Sequence, residues 1–170
     1  MITQLGSHRG KQIVFGYDRY LEPELDGYVQ AFSKYGIPLP AVQAEALHYL
    51  TSAERVCKRI QGRNDVVGVL CCSTGMGMSI AANKFRGVYA ARCLSVEDAE
   101  LARVINNANV LCLAVRNGLA LNEQILDAFM CTPFEGRKLE QLEYISELEI
   151  EADFPSVVVP RGKAKSFKLA

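Results

Sequence analysis

The sequence predicts an α/β protein: a doubly wound, Rossmann-like, five-stranded parallel sheet with helices on both faces. Three observations carry that prediction. Short apolar runs alternate along the chain with longer segments whose apolar residues recur at helical spacing. One run, Val66-Val67-Gly68-Val69-Leu70-Cys71-Cys72, is apolar without alternation, as a strand buried on both faces requires. It breaks directly into Ser73-Thr74-Gly75-Met76-Gly77, a turn of small residues with free backbone N–H groups. Met78-Ser79-Ile80-Ala81-Ala82-Asn83-Lys84 then reads as the first turns of a helix. Strand, glycine-bearing turn and helix start together make an anion site.

Each element follows in order. Residues 1–11 read as a loose lead-in, and 12–16 as the first strand, with Tyr17-Asp18-Arg19-Tyr20 at its carboxyl end. Glu22-Pro23-Glu24 opens a helix, because proline is tolerated in a first turn and acids favour the positive end. Leu25, Tyr28, Val29 and Phe32 keep helical spacing up to Tyr35, where Gly36 is a stop. Ile37-Pro38-Leu39-Pro40 is a rigid connector. Residues 42–47 are expected as a second strand, although Ala44, Glu45 and Ala46 are poor strand formers.

A helix capped by Thr51 or Ser52 runs through Val56, Cys57 and Ile60 into the central strand. After Gly87, residues 88–93 form the next strand. Ser95 caps a helix with Glu97 and Asp98 in its first turn, ending at Asn106-Asn107. Residues 109–114 are the fifth strand. Residues 118–130 form an amphipathic helix and 137–150 a more polar one. Residues 1–150 are therefore expected to make one domain, and 151–170 a tail that docks a subunit or moves freely.

Composition narrows the function. A chain of 170 residues with 49% hydrophobic content can bury a core. Nineteen basic residues balance nineteen acidic ones, which argues against nucleic acid as the main partner. No apolar run approaches the ~18 residues of a membrane span, and residues 1–11 lack the apolar core of a signal peptide. Six cysteines without paired spacing or a histidine cluster imply a reduced, cytoplasmic setting and no metal site. No cofactor is implied.

In a parallel α/β fold, ligands bind outside the carboxyl ends of the strands. That rule places Asp18, His48, Tyr49, Cys72, Ser73, Thr74, Ser95 and Arg116 on one rim. Cys72 is the reactive candidate: neighbouring strand residues face opposite ways, which separates it from Cys71, and turn N–H groups favour a thiolate. Thr74 and Ser73 offer hydroxyls to a ligand or satisfy the turn itself. Gly75 and Gly77 permit close backbone approach. Asp18 is either a site acid or a turn acid. Arg19 suits bidentate contact with an anion, or is a solvated charge. Tyr49 stacks on a ligand or packs. His8, in the lead-in, is assigned nothing.

Assembled this way, the chain resembles the family of ribose-5-phosphate isomerase B and the galactose-6-phosphate isomerase subunits. Cys72-Ser73-Thr74-Gly75-Met76-Gly77-Met78-Ser79-Ile80-Ala81-Ala82-Asn83-Lys84 is similar to the family's CGTGxGxSIAANK. Asn107-Ala108-Asn109-Val110-Leu111, preceded by Asn106, matches its N/D-A-N-V-L. Asp18 stands where the family has Asp-His-Ala-Gly, Tyr49 stands at a family tyrosine, and Phe134-Glu135-Gly136-Arg137 is similar to FEGGR.

The resemblance implies aldose–ketose isomerisation of a small sugar phosphate, or a related open-chain sugar, through a cis-enediolate. It implies Cys72 as the base, with Asp18 assisting ring opening or binding hydroxyls. The turn N–H groups and Asn106 hold the oxyanion. Arg19, Arg92, Arg116 and Arg137 are the candidates for holding a phosphate. The subunits are expected to pair as a homodimer or a dimer of dimers.

The chain departs from the family at named positions. Arg19 replaces a histidine, Leu94 replaces the histidine assigned to ring opening, Ile105 replaces the histidine before Asn106, and Glu140 and Gln141 replace phosphate-gripping arginines. These departures leave three readings: an isomerase for an already open-chain sugar such as a four-carbon sugar phosphate, a non-catalytic or partner-dependent subunit, or a regulatory anion-binding module.

Overall fold

The computed structural model describes residues 4–36 and 42–149. Four strands, β1 (Gln12–Tyr17), β2 (Val66–Cys72), β3 (Ala90–Arg92) and β4 (Val110–Ala114), form a parallel sheet in the order β1-β2-β4-β3. The helices are α1 (Leu25–Phe32), α2 (Tyr49–Ile60), α3 (Met76–Ala82), α4 (Val96–Val104), α5 (Leu119–Cys131) and α6 (Leu139–Glu147).

Strand alternation sorts the core into two layers. Phe15, Val69, Cys71 and Leu111 pack with Tyr28 and Phe32 of α1, Ala99 of α4, and Ile125 and Phe129 of α5. Val14, Leu70, Cys72 and Cys112 pack on the other face with Val56 of α2 and Met78 of α3. Helices thus cover both faces, as a sheet of unbroken apolar strands demands.

Among the described residues the sheet has four strands rather than five. Residues 42–47 pair with its edge strand only through two isolated parallel bridges, Val42 with Phe15 and Leu47 with Asp18. The alanines and the glutamate between them bring little side-chain packing to a ladder. The strand expected over 88–93 is confined to β3 at the edge of the sheet, where the Asn83 side-chain amide takes both polar groups of Ala90 at 2.9 Å in place of a further strand.

The expected stop at Gly36 holds, with a φ of 68°. Ser95 and Asp98 form a reciprocal capping box on α4. In contrast, α2 begins one turn earlier than expected: His48 caps it, accepting the Leu50 N–H at 3.4 Å. Ser52 is instead buried and donates to the Tyr17 carbonyl at 2.6 Å.

The N-terminal segment is not a loose lead-in from Gln4 onward. Gly6 bridges Phe134, and His8 is 3% exposed, with Nε2 2.9 Å from the Ala108 carbonyl and its ring against Phe129. Arg103, 1% exposed, donates to Ala108, Gly6 and Asn107 and binds this segment to the α4–β4 connection. The tail proposed over 151–170 lies outside the described residues. Among the described residues, no helix is long and apolar enough to cross a membrane.

Candidate active site

The carboxyl ends of β1 and β2 create the site. Tyr17 pairs with Cys71 in register, so Asp18 follows beside Cys72, one strand spacing away. Asp18 donates its N–H to the Cys71 carbonyl at 3.2 Å and accepts the Tyr20 N–H on Oδ1 at 3.0 Å. Burial pushes the Asp18 carboxyl above the usual carboxylate range, against the pull of the Tyr20 N–H, Arg19 and His48.

Cys72 and Cys71 are separated as alternation requires: Cys72 faces α2 and α3, Cys71 the opposite layer. Burial drives the Cys71 thiol well above its ordinary range, as it does for Cys112, and raises Cys57 and Cys93 to about 12. Those four are inert thiols at neutral pH. Cys72 differs by its contact: its Sγ accepts the Gly75 N–H at 3.2 Å.

The turn after β2 is built around Gly75, whose φ is 72°, in the left-handed region. A side chain there would also crowd the Leu113 carbonyl at 3.2 Å. The Thr74 Oγ1 accepts the Met76 N–H at 3.3 Å, so part of its capacity closes the turn. Ser73 is half-buried and has no hydrogen-bond partner among the described residues. A Cβ on Gly77 would lie 2.7 Å from Tyr49 Cε2, so Tyr49 packs flush against the Gly77 backbone. Its ring also meets His48, with centroids 4.6 Å apart. Because α3 has only seven residues, the turn amides, rather than a long helix dipole, supply the local positive potential.

Arg19 is exposed beside Asp18, its guanidinium over the Tyr20 ring. Arg116 is exposed two residues beyond Ala114, the partner of Cys72, on the same rim. The rim therefore collects Asp18, Arg19, Tyr49, Cys72, Ser73, Thr74, Gly75, Gly77 and Arg116.

It does not collect Asn106 or Arg137. Asn106 precedes β4, whose first residue Val110 pairs with Gly68, four residues before Cys72. At ~3.3 Å per residue that register alone is about 13 Å, so Asn106 lies on the opposite rim. Arg137 lies there too, after the Phe134–Gly6 bridge that follows α5. Grouping them with Cys72 fails within one chain because a residue that leads into a parallel strand sits at its amino end.

Arg92, weighed from sequence only as an anion ligand, is instead bound to the site's turn: its Nε donates to the Thr74 carbonyl at 2.7 Å. The signal was an arginine closing an otherwise apolar strand.

A thiol beside a carboxylate, with a turn of donors at its edge, can move a proton between adjacent carbons and hold the oxygen charge that develops. The Ribose/Galactose Isomerase sequence profile matches residues 24–145. The chain belongs to that family.

It is 34% identical over 144 residues to ribose-5-phosphate isomerase B of Escherichia coli, covering 82% of this chain and 97% of that protein. The type B ribose 5-phosphate isomerase structure of Trypanosoma brucei aligns with a TM-score of 0.74 at 34% identity, covering 82% of this chain and 99% of that one. Two further relatives are 40% identical. The 4-deoxy-4-sulfo-D-erythrose isomerase of Clostridium matches over 88 residues, 51% of this chain and 55% of that protein. The D-erythrulose-4-phosphate isomerase of Pectobacterium atrosepticum matches over 87 residues, 48% of this chain and 57% of that protein. A longer Arabidopsis thaliana protein, DNA damage-repair/toleration protein DRT102, is 36% identical over 127 residues; the match covers 73% of this chain and only 40% of that protein.

Proposed function

We propose that this chain interconverts an open-chain four-carbon aldose and ketose bearing an anionic group at C4. The observation that carries the reading is a pairing of presence and absence. The thiol, carboxylate and turn for proton transfer stand together at Cys72, Asp18 and Gly75. Leu94 and Ile105 stand where the family's histidines would be. A four-carbon sugar with C4 substituted has no hydroxyl there to close a five-membered ring, so it needs no ring-opening acid. Two relatives named for C4-substituted four-carbon sugars support the same reading.

In this mechanism the Cys72 thiolate takes the proton from the carbon beside the carbonyl and returns it to the neighbouring carbon. The electron pair left behind forms a cis-enediolate. Asp18 carries the proton exchanged between the two oxygens. N–H groups of the Thr74–Gly77 turn, with the Thr74 and Ser73 hydroxyls, hold the oxygens. Tyr49 walls the site above Gly77. Arg19 and Arg116 hold the C4 anion through their guanidinium forks.

The active unit is a homodimer or a dimer of dimers. Asn106 and Arg137 reach a Cys72 site only from a second copy whose amino rim faces it, which supports a site shared between subunits. A cytoplasmic setting agrees with the free thiols.

The test is turnover by the purified chain of D-erythrulose 4-phosphate against ribose 5-phosphate, with aldose–ketose conversion followed by NMR. At least about tenfold higher kcat/KM for the four-carbon ester is expected. Preference for ribose 5-phosphate would overturn the substrate assignment, and silence across both would favour the partner-dependent subunit.

A further inference from the structure

Arg92 is foreign to its position. It ends β3 on the face that carries Ala90, which packs with α2 and α3, whereas Ala91 packs in the opposite layer. An apolar side chain would fill that place at lower desolvation cost. Instead the arginine stem crosses Gly75, with Cγ 3.3 Å from where a Cβ would stand, and its Nε reaches the Thr74 carbonyl at 2.7 Å. The other half of that same peptide group, the Gly75 N–H, donates to Cys72 Sγ at 3.2 Å. One peptide is thus held between a guanidinium at its oxygen and a thiol at its nitrogen.

We infer that Arg92 is a positioning residue that favours the thiolate of Cys72 through the shared Thr74–Gly75 peptide; this rests on the reading of Cys72 as the proton carrier. A cation on the carbonyl polarises the amide, and a polarised N–H is a stronger donor to negative sulfur. The charge acts undiluted, because no carboxylate pairs with Arg92 among the described residues. Asp98, which lines the same cleft of about 480 Å³, accepts the Leu94 and Ser95 N–H groups at 2.8 and 3.2 Å.

The ionisable groups around Cys72 cannot replace it. Asp18 comes from β1, Cys71 from β2 itself, Cys112 from β4, and His48, Tyr49 and Cys57 from α2 and its cap; α3 contributes none. Arg19 and Arg116 are exposed on the rim and bond neither the turn nor the sulfur. Gly75 is the enabling residue, since its bare Cα lets the arginine stem pass against the turn.

The experiment needs no substrate. Iodoacetamide alkylation of Cys72 in the full chain is followed against pH, with peptide mass spectrometry separating it from the half-buried Cys131. In Arg92→Met the rate at pH 7 is expected to fall roughly tenfold, with the profile displaced about one unit upward. Arg92→Lys, which restores the cation, recovers most of the rate. Arg92→Gln keeps an N–H donor without the charge and shows the same upward displacement, which covers the case of a misfolded Arg92→Met. A profile superimposable on the wild type in the folded variants, or faster alkylation in them, overturns the inference. A displaced profile together with a wild type that turns over no sugar would sink the proposed function and leave the Arg92–Cys72 coupling standing.

Discussion

Cys72 and Asn106 lie at opposite ends of one parallel sheet, the first closing β2 and the second leading into β4. No side-chain motion spans that gap within a chain. If both serve the reaction, they do so in different copies.

Complementation follows from that separation. Cys72→Ala and Asn106→Ala homodimers are each expected to be nearly inactive. Mixed and reassembled, they form heterodimers with one intact site, restoring about a quarter of wild-type activity. Activity that stays at the level of the parents would mean that Asn106 acts outside the site.

Gly75→Ala tests the turn. The left-handed φ of 72° is strained for any side chain, and a Cβ also meets the Leu113 carbonyl at 3.2 Å. A stability loss of about 1–2 kcal/mol is expected from urea denaturation. Because the Gly75 N–H is the contact to Cys72, kcat should fall by about ten- to a hundredfold. A wild-type kcat would show that the turn geometry is not used.

His8 gives a pH dependence with a definite sign. Burial, then the Arg103 charge, lowers its pKa to about 3 from an ordinary 6.5. The unfolded chain therefore binds a proton that the folded chain refuses. The stability that neutral His8 permits is complete above about pH 6.5 and is lost as pH falls toward 3. The slope approaches about 1.4 kcal/mol per pH unit. Urea midpoints of the wild type and His8→Leu between pH 7 and pH 4 check this, and the variant should lose that component of the slope. Equal slopes would contradict the burial of a neutral imidazole.

Much of this was legible because it is local. The unbroken apolar run of β2, its glycine turn and the Ser95–Asp98 capping box are written in adjacent residues. Alternation alone separated Cys72 from Cys71. What was not legible depends on long-range partners. Gln4 to Lys11 read as loose because the groups that bury His8, namely Arg103, Ala108 and Phe129, come from far along the chain. The expected strand over 42–47 shrinks to two bridges because Ala44, Glu45 and Ala46 bring little cross-strand packing to a ladder. Asn106 and Arg137 were grouped with Cys72 by family pattern, whereas counting strand direction puts them on the far rim.

Whether Cys72 carries the proton is read directly by solvent exchange. Wild type, Cys71→Ala and Cys72→Ala are each incubated in D2O with D-erythrulose 4-phosphate while loss of the carbon-bound proton is followed by NMR. Exchange is expected in the wild type and in folded Cys71→Ala, with a loss of about a hundredfold or more in Cys72→Ala. Undiminished exchange in Cys72→Ala would contradict proton transfer by Cys72.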